Sequence, residues 1–256
     1  MLFDNAVNLS IMIRMENEKK KRIEIIDALR GFAITLMIIH HALYNTTAFL
    51  GAPLWLYSNP VFNFLQIIFI AIFIGVSGIS SRFSRGNIER GAIVIVIAVA
   101  ITYVTVRMEM PIYFGILHLL GFFMMFYGVT RKFWDNISRK TAPYIYIVLI
   151  GLSMAARILL SPSSDYVVIR DFLSILGWEQ PGFVNYDNQV ILPWIFVFLL
   201  GTWVGEYIRE GRFPEWFYDM KVPFFPLVGR NALLVYVLHQ PILFGITIGI
   251  AYLVQL

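Results

Sequence analysis

The sequence predicts an all-α protein embedded in a bilayer, a polytopic helix bundle of about seven transmembrane helices. Three observations lead there. Of the 256 residues, 59% are hydrophobic and only 14% are charged, against roughly 45–50% apolar and about 25% charged in soluble domains. The mean hydropathy is +0.72. Apolar runs close to the roughly 20 residues that carry a helix across about 30 Å of hydrocarbon recur along the chain. These runs are continuous rather than alternating, so helices that satisfy their own backbone are expected in place of barrel strands.

Residues 1–22 read as a basic tail. They lack the apolar core of a signal peptide, and Lys19-Lys20-Lys21-Arg22 directly precedes the first apolar run. Met15 is an alternative start. Residues 23–256 read as a single transmembrane domain with spans at Ile25–Phe49, Pro60–Ser81, Gly91–Val106, Ile112–Thr130, Pro143–Leu160, Val190–Ile208 and Asn231–Val254. The third is short and the first is the least apolar. No internal repeat or low-complexity tract is evident.

Orientation follows from the basic residues. The tail, Arg82/Arg85/Arg90, Arg131/Lys132/Arg139/Lys140 and Arg209/Arg212/Lys221/Arg230 fall on one side, and only Arg107, Arg157 and Arg170 on the other. The positive-inside rule makes the first side cytoplasmic. The N-terminus is then expected inside and the C-terminus outside, in a multi-pass protein of the cell membrane. The longest loop, 161–189, is expected outside. Its aromatics Tyr166, Trp178, Phe183 and Tyr186 and its acids Asp165, Asp171, Glu179 and Asp187 suit either a lid over an acceptor site or a plain connector with interfacial aromatics.

The net charge of +4 and the pI near 9.3 do not indicate a nucleic-acid partner, because the basic residues sit mostly in the gaps between apolar runs. The absence of cysteine excludes disulfides, thiolate metal sites and cysteine nucleophiles. No zinc spacing, nucleophile elbow, P-loop or dinucleotide fingerprint occurs, and no metal is expected.

Ionisable side chains within a span cost several kcal/mol unless paired or hydrated, so each is a candidate for function. The first span holds four such residues. Asp27 and Arg30 stand three apart on one helical face, where they can pair. His41 follows Arg30 by eleven residues, three turns or roughly 16 Å along the same face, while His40 lies about 100° around the helix. His118 is expected at a depth similar to His41, close enough for the two to meet across the bundle. His239 precedes Gln240-Pro241, where the missing proline N–H frees an upstream carbonyl. Such a set suits catalysis or a proton relay. Ser77-Gly78 and the small residues up to Ser81 suit close helix packing instead.

Three segments together resemble a known family: 26-IDALRGFAITLMIIHH-41, 114-FGILHLLG-121 and 229-GRNALLVYVLHQP-241. They are similar, in order and spacing, to the catalytic domain of heparan-alpha-glucosaminide N-acetyltransferase and its prokaryotic relatives. The first also resembles the Asp-x-x-Arg and intramembrane His of the acyltransferase-3 family. The resemblance implies that an acyl group, usually acetyl from cytoplasmic acetyl-CoA, passes to an outer acceptor, often a sugar. It implies catalytic roles for His41, His40, Asp27 and Arg30, and substrate-binding roles for His118, His239, Gln240, Arg230 and Asn231. His41 acts either as general base or as a nucleophile that takes the acyl group itself. Arg82, Arg85 and Arg90 either hold CoA phosphates or only orient the chain. The chain lacks the large extracytoplasmic domain of the lysosomal enzyme. A second copy of the chain is a further candidate partner. The alternative reading is a proton-coupled transporter that uses the same histidines.

Overall fold

The computed structural model describes residues 22–160, 162, 166–178, 180–181, 187 and 189–254. The basic tail before Arg22 lies outside the described residues, as do Asp165, Glu179, Phe183 and Tyr186 of the long loop. Among the described residues no strand occurs, in line with the all-α expectation. The helices are α1 Glu24–Leu50, α2 Pro60–Phe83, α3 Asn87–Arg107, α4 Ile116–Asp135, α5 Ala142–Leu159, α6 Val167–Leu176, α7 Trp194–Arg209, α8 Glu215–Asp219, α9 Phe225–Arg230 and α10 Ala232–Val254.

Local chemistry sets several of these boundaries. Glu24 and Asp27 occupy the first turn of α1, where the helix dipole favours acids. The helix stops at Gly51, whose φ of 71° is left-handed and whose N–H returns to the Thr46 carbonyl. The side chain of Asn59 accepts from the N–H groups of Val61 and Phe62, with Pro60 at the first helical position of α2.

Five helical stretches are long and apolar enough to cross a bilayer: α1, Leu54–Phe83 (a short 3₁₀ turn running into α2), α3, α5 and α10. The sequence predicts seven spans. The fourth and sixth of the expected spans fall on α4 and α7, whose faces are buried in the bundle and which do not meet that measure. In α4 the basic pair Arg131-Lys132 falls within the helix, and α7 has only 16 residues. Their side chains Leu119, Phe123, Tyr127, Phe198 and Leu199 are inaccessible and form the core with Ile34 and Ile74. Apolar side chains cover the outside of α3, α5 and α10, as expected of helices solvated by lipid.

The helices meet at glycines. A Cβ on Gly31 of α1 would lie 2.0 Å from the Phe225 carbonyl oxygen, and one on Gly229 would lie 1.8 Å from that of Asp27. Thus α9 rests on α1 backbone to backbone. The same device joins α2 to α7, where added Cβ atoms would stand 2.1 Å (Gly78) and 2.2 Å (Gly201) from facing carbonyls. Small residues bring backbones together in this way because lipid supplies no hydrophobic force between helices.

Charged residues gather at the end of the bundle where α1 begins. Arg82 near the end of α2 is 5% exposed and pairs with Asp135 of α4 and, at 2.7 Å, with Glu206 of α7. It also donates to Tyr127 Oη at 2.8 Å. Arg139 reinforces this group at 2.8 Å from Glu206. Arg82 thus locks three helices together rather than standing open to a ligand, whereas Arg85 and Arg90 are exposed.

The 161–189 region contains α6. Ile191 and Leu192 donate their N–H groups to the carbonyls of Ile175 and Leu176, and Arg157 donates to the Gly177 carbonyl at 2.7 Å. Gln189 N–H bonds the Phe114 carbonyl. These bonds strap the strand-like stretch before α7 onto the bundle beside the start of α4.

Candidate functional site

Helices α1 and α10 pack side by side and run parallel, so their polar residues pair level by level. At the charged end Asp27 is buried among three arginines. Its carboxylate accepts from Arg22 Nε at 2.6 Å and Arg30 Nη1 at 2.9 Å, and Arg230 Nε stands 3.6 Å away. Arg30 also donates to the Gly229 carbonyl and to Ser80 Oγ. Nearby, Glu24 holds Lys221 at 3.0 Å and Arg230 at 3.5 Å. Four cations therefore surround two acids, and the excess positive charge makes this end attractive to an anion.

Three turns along α1, His41 Nδ1 stands 3.3 Å from Nε2 of His239 on α10. The Nδ1 of His239 hydrogen-bonds the Tyr236 carbonyl. One turn further, Asn45 donates to Gln240 Oε1 at 3.4 Å. The helix α10 continues through Pro241, so the sequence-expected opening there does not interrupt it.

A cleft with about 470 Å³ of empty space, its open mouth included, lies beside His41. Ala33, Ile34, Met37, His40 and His41 of α1 form one wall, and Phe69, Ile70 and Phe73 of α2 form another. Asp187, Gln189 and Tyr236 supply polar groups beside the histidine. Its α1 wall runs over nine residues, from Ala33 to His41, roughly 12 Å of helix. It is apolar from Ala33 to Met37 and becomes polar at the histidines.

Asp187 is firmly held. It accepts from Ile116 N–H at the start of α4 (3.3 Å), from Tyr236 Oη (3.2 Å) and from Gln189 Nε2 (3.2 Å). A Cβ on Gly115 would stand 2.6 Å from its Oδ2, so a larger residue there would push the carboxylate from its present place. One backbone N–H at the start of α4 and two side-chain donors thus fix the position of its carboxyl group.

The expected site residues divide into groups. His41, His239 and Gln240 meet along the α1–α10 seam, and His40 lines the cleft while packing on Tyr57 and Phe69 at centroid distances of 4.9 and 5.9 Å. Asp27, Arg30 and Arg230 form the ion cluster at the far end of the same seam. Exposed Asn231 donates to the Leu227 carbonyl, next to that cluster. His118 does not meet His41. Its Nδ1 accepts Gly115 N–H at 3.3 Å and its Nε2 faces Thr102 Oγ1 at 3.2 Å. Thr102 spends its only proton on the Ile112 carbonyl at 2.6 Å, so His118 donates through Nε2. Both ring nitrogens are thereby engaged in holding the start of α4 against α3.

Sequence reasoning assigned no role to Tyr236 or Gln189, and named Asp187 only among the acids of the loop. Tyr236 carried a usable signal, since it precedes His239 by three residues and so shares its face. Asp187 carried none, because its place beside His41 depends on how the long loop docks.

The family model for heparan-alpha-glucosaminide N-acetyltransferase, catalytic, matches residues 22–241. No curated protein and no solved structure matches the chain. The matched region holds the ion cluster, the cleft and the histidine pair. With its five apolar helices of membrane-crossing length, the chain belongs to the heparan-alpha-glucosaminide N-acetyltransferase catalytic family, and is a multi-pass membrane transferase.

Proposed function

We propose that the protein passes an acetyl group from cytoplasmic acetyl-CoA to an extracytoplasmic acceptor, a sugar amine or hydroxyl. The observation that carries this reading is the α1–α10 seam. It joins a cation-rich end to a histidine three turns away, with an apolar cleft wall between them. The cations suit the phosphates of CoA, and the basic loops suit a cytoplasmic face. The apolar wall from Ala33 to Met37 suits an acyl thioester, which carries no charge. His41, at the polar end of the cleft, deprotonates the acceptor as the thioester carbon is attacked, or takes the acyl group itself. Asp187 offsets the positive charge that develops on the ring.

Calorimetric titration of acetyl-CoA into the detergent-purified protein tests the donor half of this reading. Saturable binding that is weakened about tenfold in Arg30→Ala and unchanged in His41→Ala is expected. Absence of binding to the folded wild type would overturn it. Substrate flux in liposomes without thioester consumption would point to a carrier instead.

A further inference from the structure

We infer that His239 is a positioning residue that fixes the tautomer of His41, leaving the Nε2 lone pair of His41 free for the acceptor. This rests on the acyltransferase reading for its consequence, but the tautomer itself follows from geometry alone. The Tyr236 carbonyl can only accept, so the His239 nitrogen bonded to it, Nδ1, carries the proton. A neutral imidazole has one N–H, so Nε2 of His239 is an acceptor. The atom facing it at 3.3 Å is Nδ1 of His41, which must therefore donate. The bare nitrogen of His41 is then Nε2.

The other neutral tautomer of His41 would set two lone pairs against each other at this distance and lose the bond. A charged pair is disfavoured within a membrane bundle. His41 lines the cleft, and His239 stands behind it. Tyr236 serves the arrangement twice. Its carbonyl orients His239, while its hydroxyl donates to Asp187 on the cleft wall. His118, with its opposite polarity and both nitrogens engaged, has no such free lone pair.

In the transfer step the acceptor N or O bonds the acyl carbon as its proton moves to His41 Nε2. The carbon–sulfur bond then breaks, its electron pair leaves on the CoA sulfur, and the proton on Nε2 is returned to that sulfur. Throughout, the Nδ1–H of His41 remains bonded to His239, which keeps the imidazolium in register. A misplaced tautomer would present an N–H to the acceptor and remove the base.

The test is ¹⁵N NMR of histidine-labelled protein in nanodiscs, with the His41 signals assigned through His41→Gln. The wild type is expected to show His41 protonated at Nδ1 and bare at Nε2. In His239→Phe the Nε2–H form should grow in. The turnover number should fall roughly 100-fold, the scale of a lost general base, while KM for acetyl-CoA stays within about twofold. His239→Gln, whose amide oxygen can accept the same bond, should restore the wild-type tautomer. An Nε2–H form at His41 in the wild type would overturn the inference without need of any variant. So would a His239→Phe protein with unaltered tautomer and turnover. A wild type with the expected tautomer that cleaves no thioester would instead sink the acyltransferase reading and leave the tautomer assignment standing.

Discussion

His41 and Asp187 reach the same cleft from segments 146 residues apart, and their chemistry can be separated by substitution. Asp187→Asn keeps an acceptor for Ile116 N–H and Tyr236 Oη but removes the charge beside His41. Turnover is expected to fall about 10- to 100-fold with KM for acetyl-CoA little changed, as for loss of electrostatic stabilisation alone. Steady-state kinetics checks this, and an unchanged turnover number would leave Asp187 with only a structural role. The sequence marks His41 as a candidate because an ionisable group in an apolar run has few innocent explanations. It pairs His41 with His118, expected at a similar depth, and sets His239 only beside the Gln240-Pro241 break. The structure separates them through hydrogen bonds: His118 is saturated by Gly115 and Thr102, and His239 is bonded to His41. No spacing rule shows which of two intramembrane histidines on different helices will reach a third.

At the scale of elements, the α1–α9 contact makes a sharp forecast. A methyl group on Gly229 would stand 1.8 Å from a backbone oxygen that no side-chain rotation can move. Gly229→Ala should cost about 1–3 kcal/mol or more, as overpacking does, and lower the thermal unfolding midpoint in detergent. Gly249→Ala, with nothing within 4 Å of its added Cβ, should change stability by no more than about 0.5 kcal/mol. Equal midpoints for the two variants would mean that α9 does not rest on α1. The long helices themselves were legible, because a run of apolar residues bounded by charge needs only composition to be seen. The start of α4 was not. The expected span begins at Ile112, yet the helix begins at Ile116, where its own His118 turns back to accept the Gly115 N–H and Asp187 from a distant segment accepts the Ile116 N–H. The helix within the 161–189 region also escaped notice, since its ten residues are too short to register as a span.

Across the whole molecule, charge is distributed unevenly between the two ends of the bundle. Charged residues of α1, α2, α4 and α7 meet at one end, and α1 and α10 run parallel. Because the chain has no cysteine, single introduced thiols report sidedness without background. Lys140→Cys should react with a membrane-impermeant maleimide only from the cytoplasmic face, and Tyr166→Cys, at the exposed start of α6, only from outside. Labelling of both from one face would break the seven-pass arrangement. If His41 drives consumption of an acyl thioester, CoA thiol release from acetyl-CoA by wild type and His41→Ala, in proteoliposomes supplied with glucosamine as a probe acceptor, separates the two proteins. Saturable release is expected from the wild type and a rate lower by about 10²–10⁴-fold from the variant, with acetyl-CoA still bound. Equal rates in the two proteins would remove His41 from the chemistry.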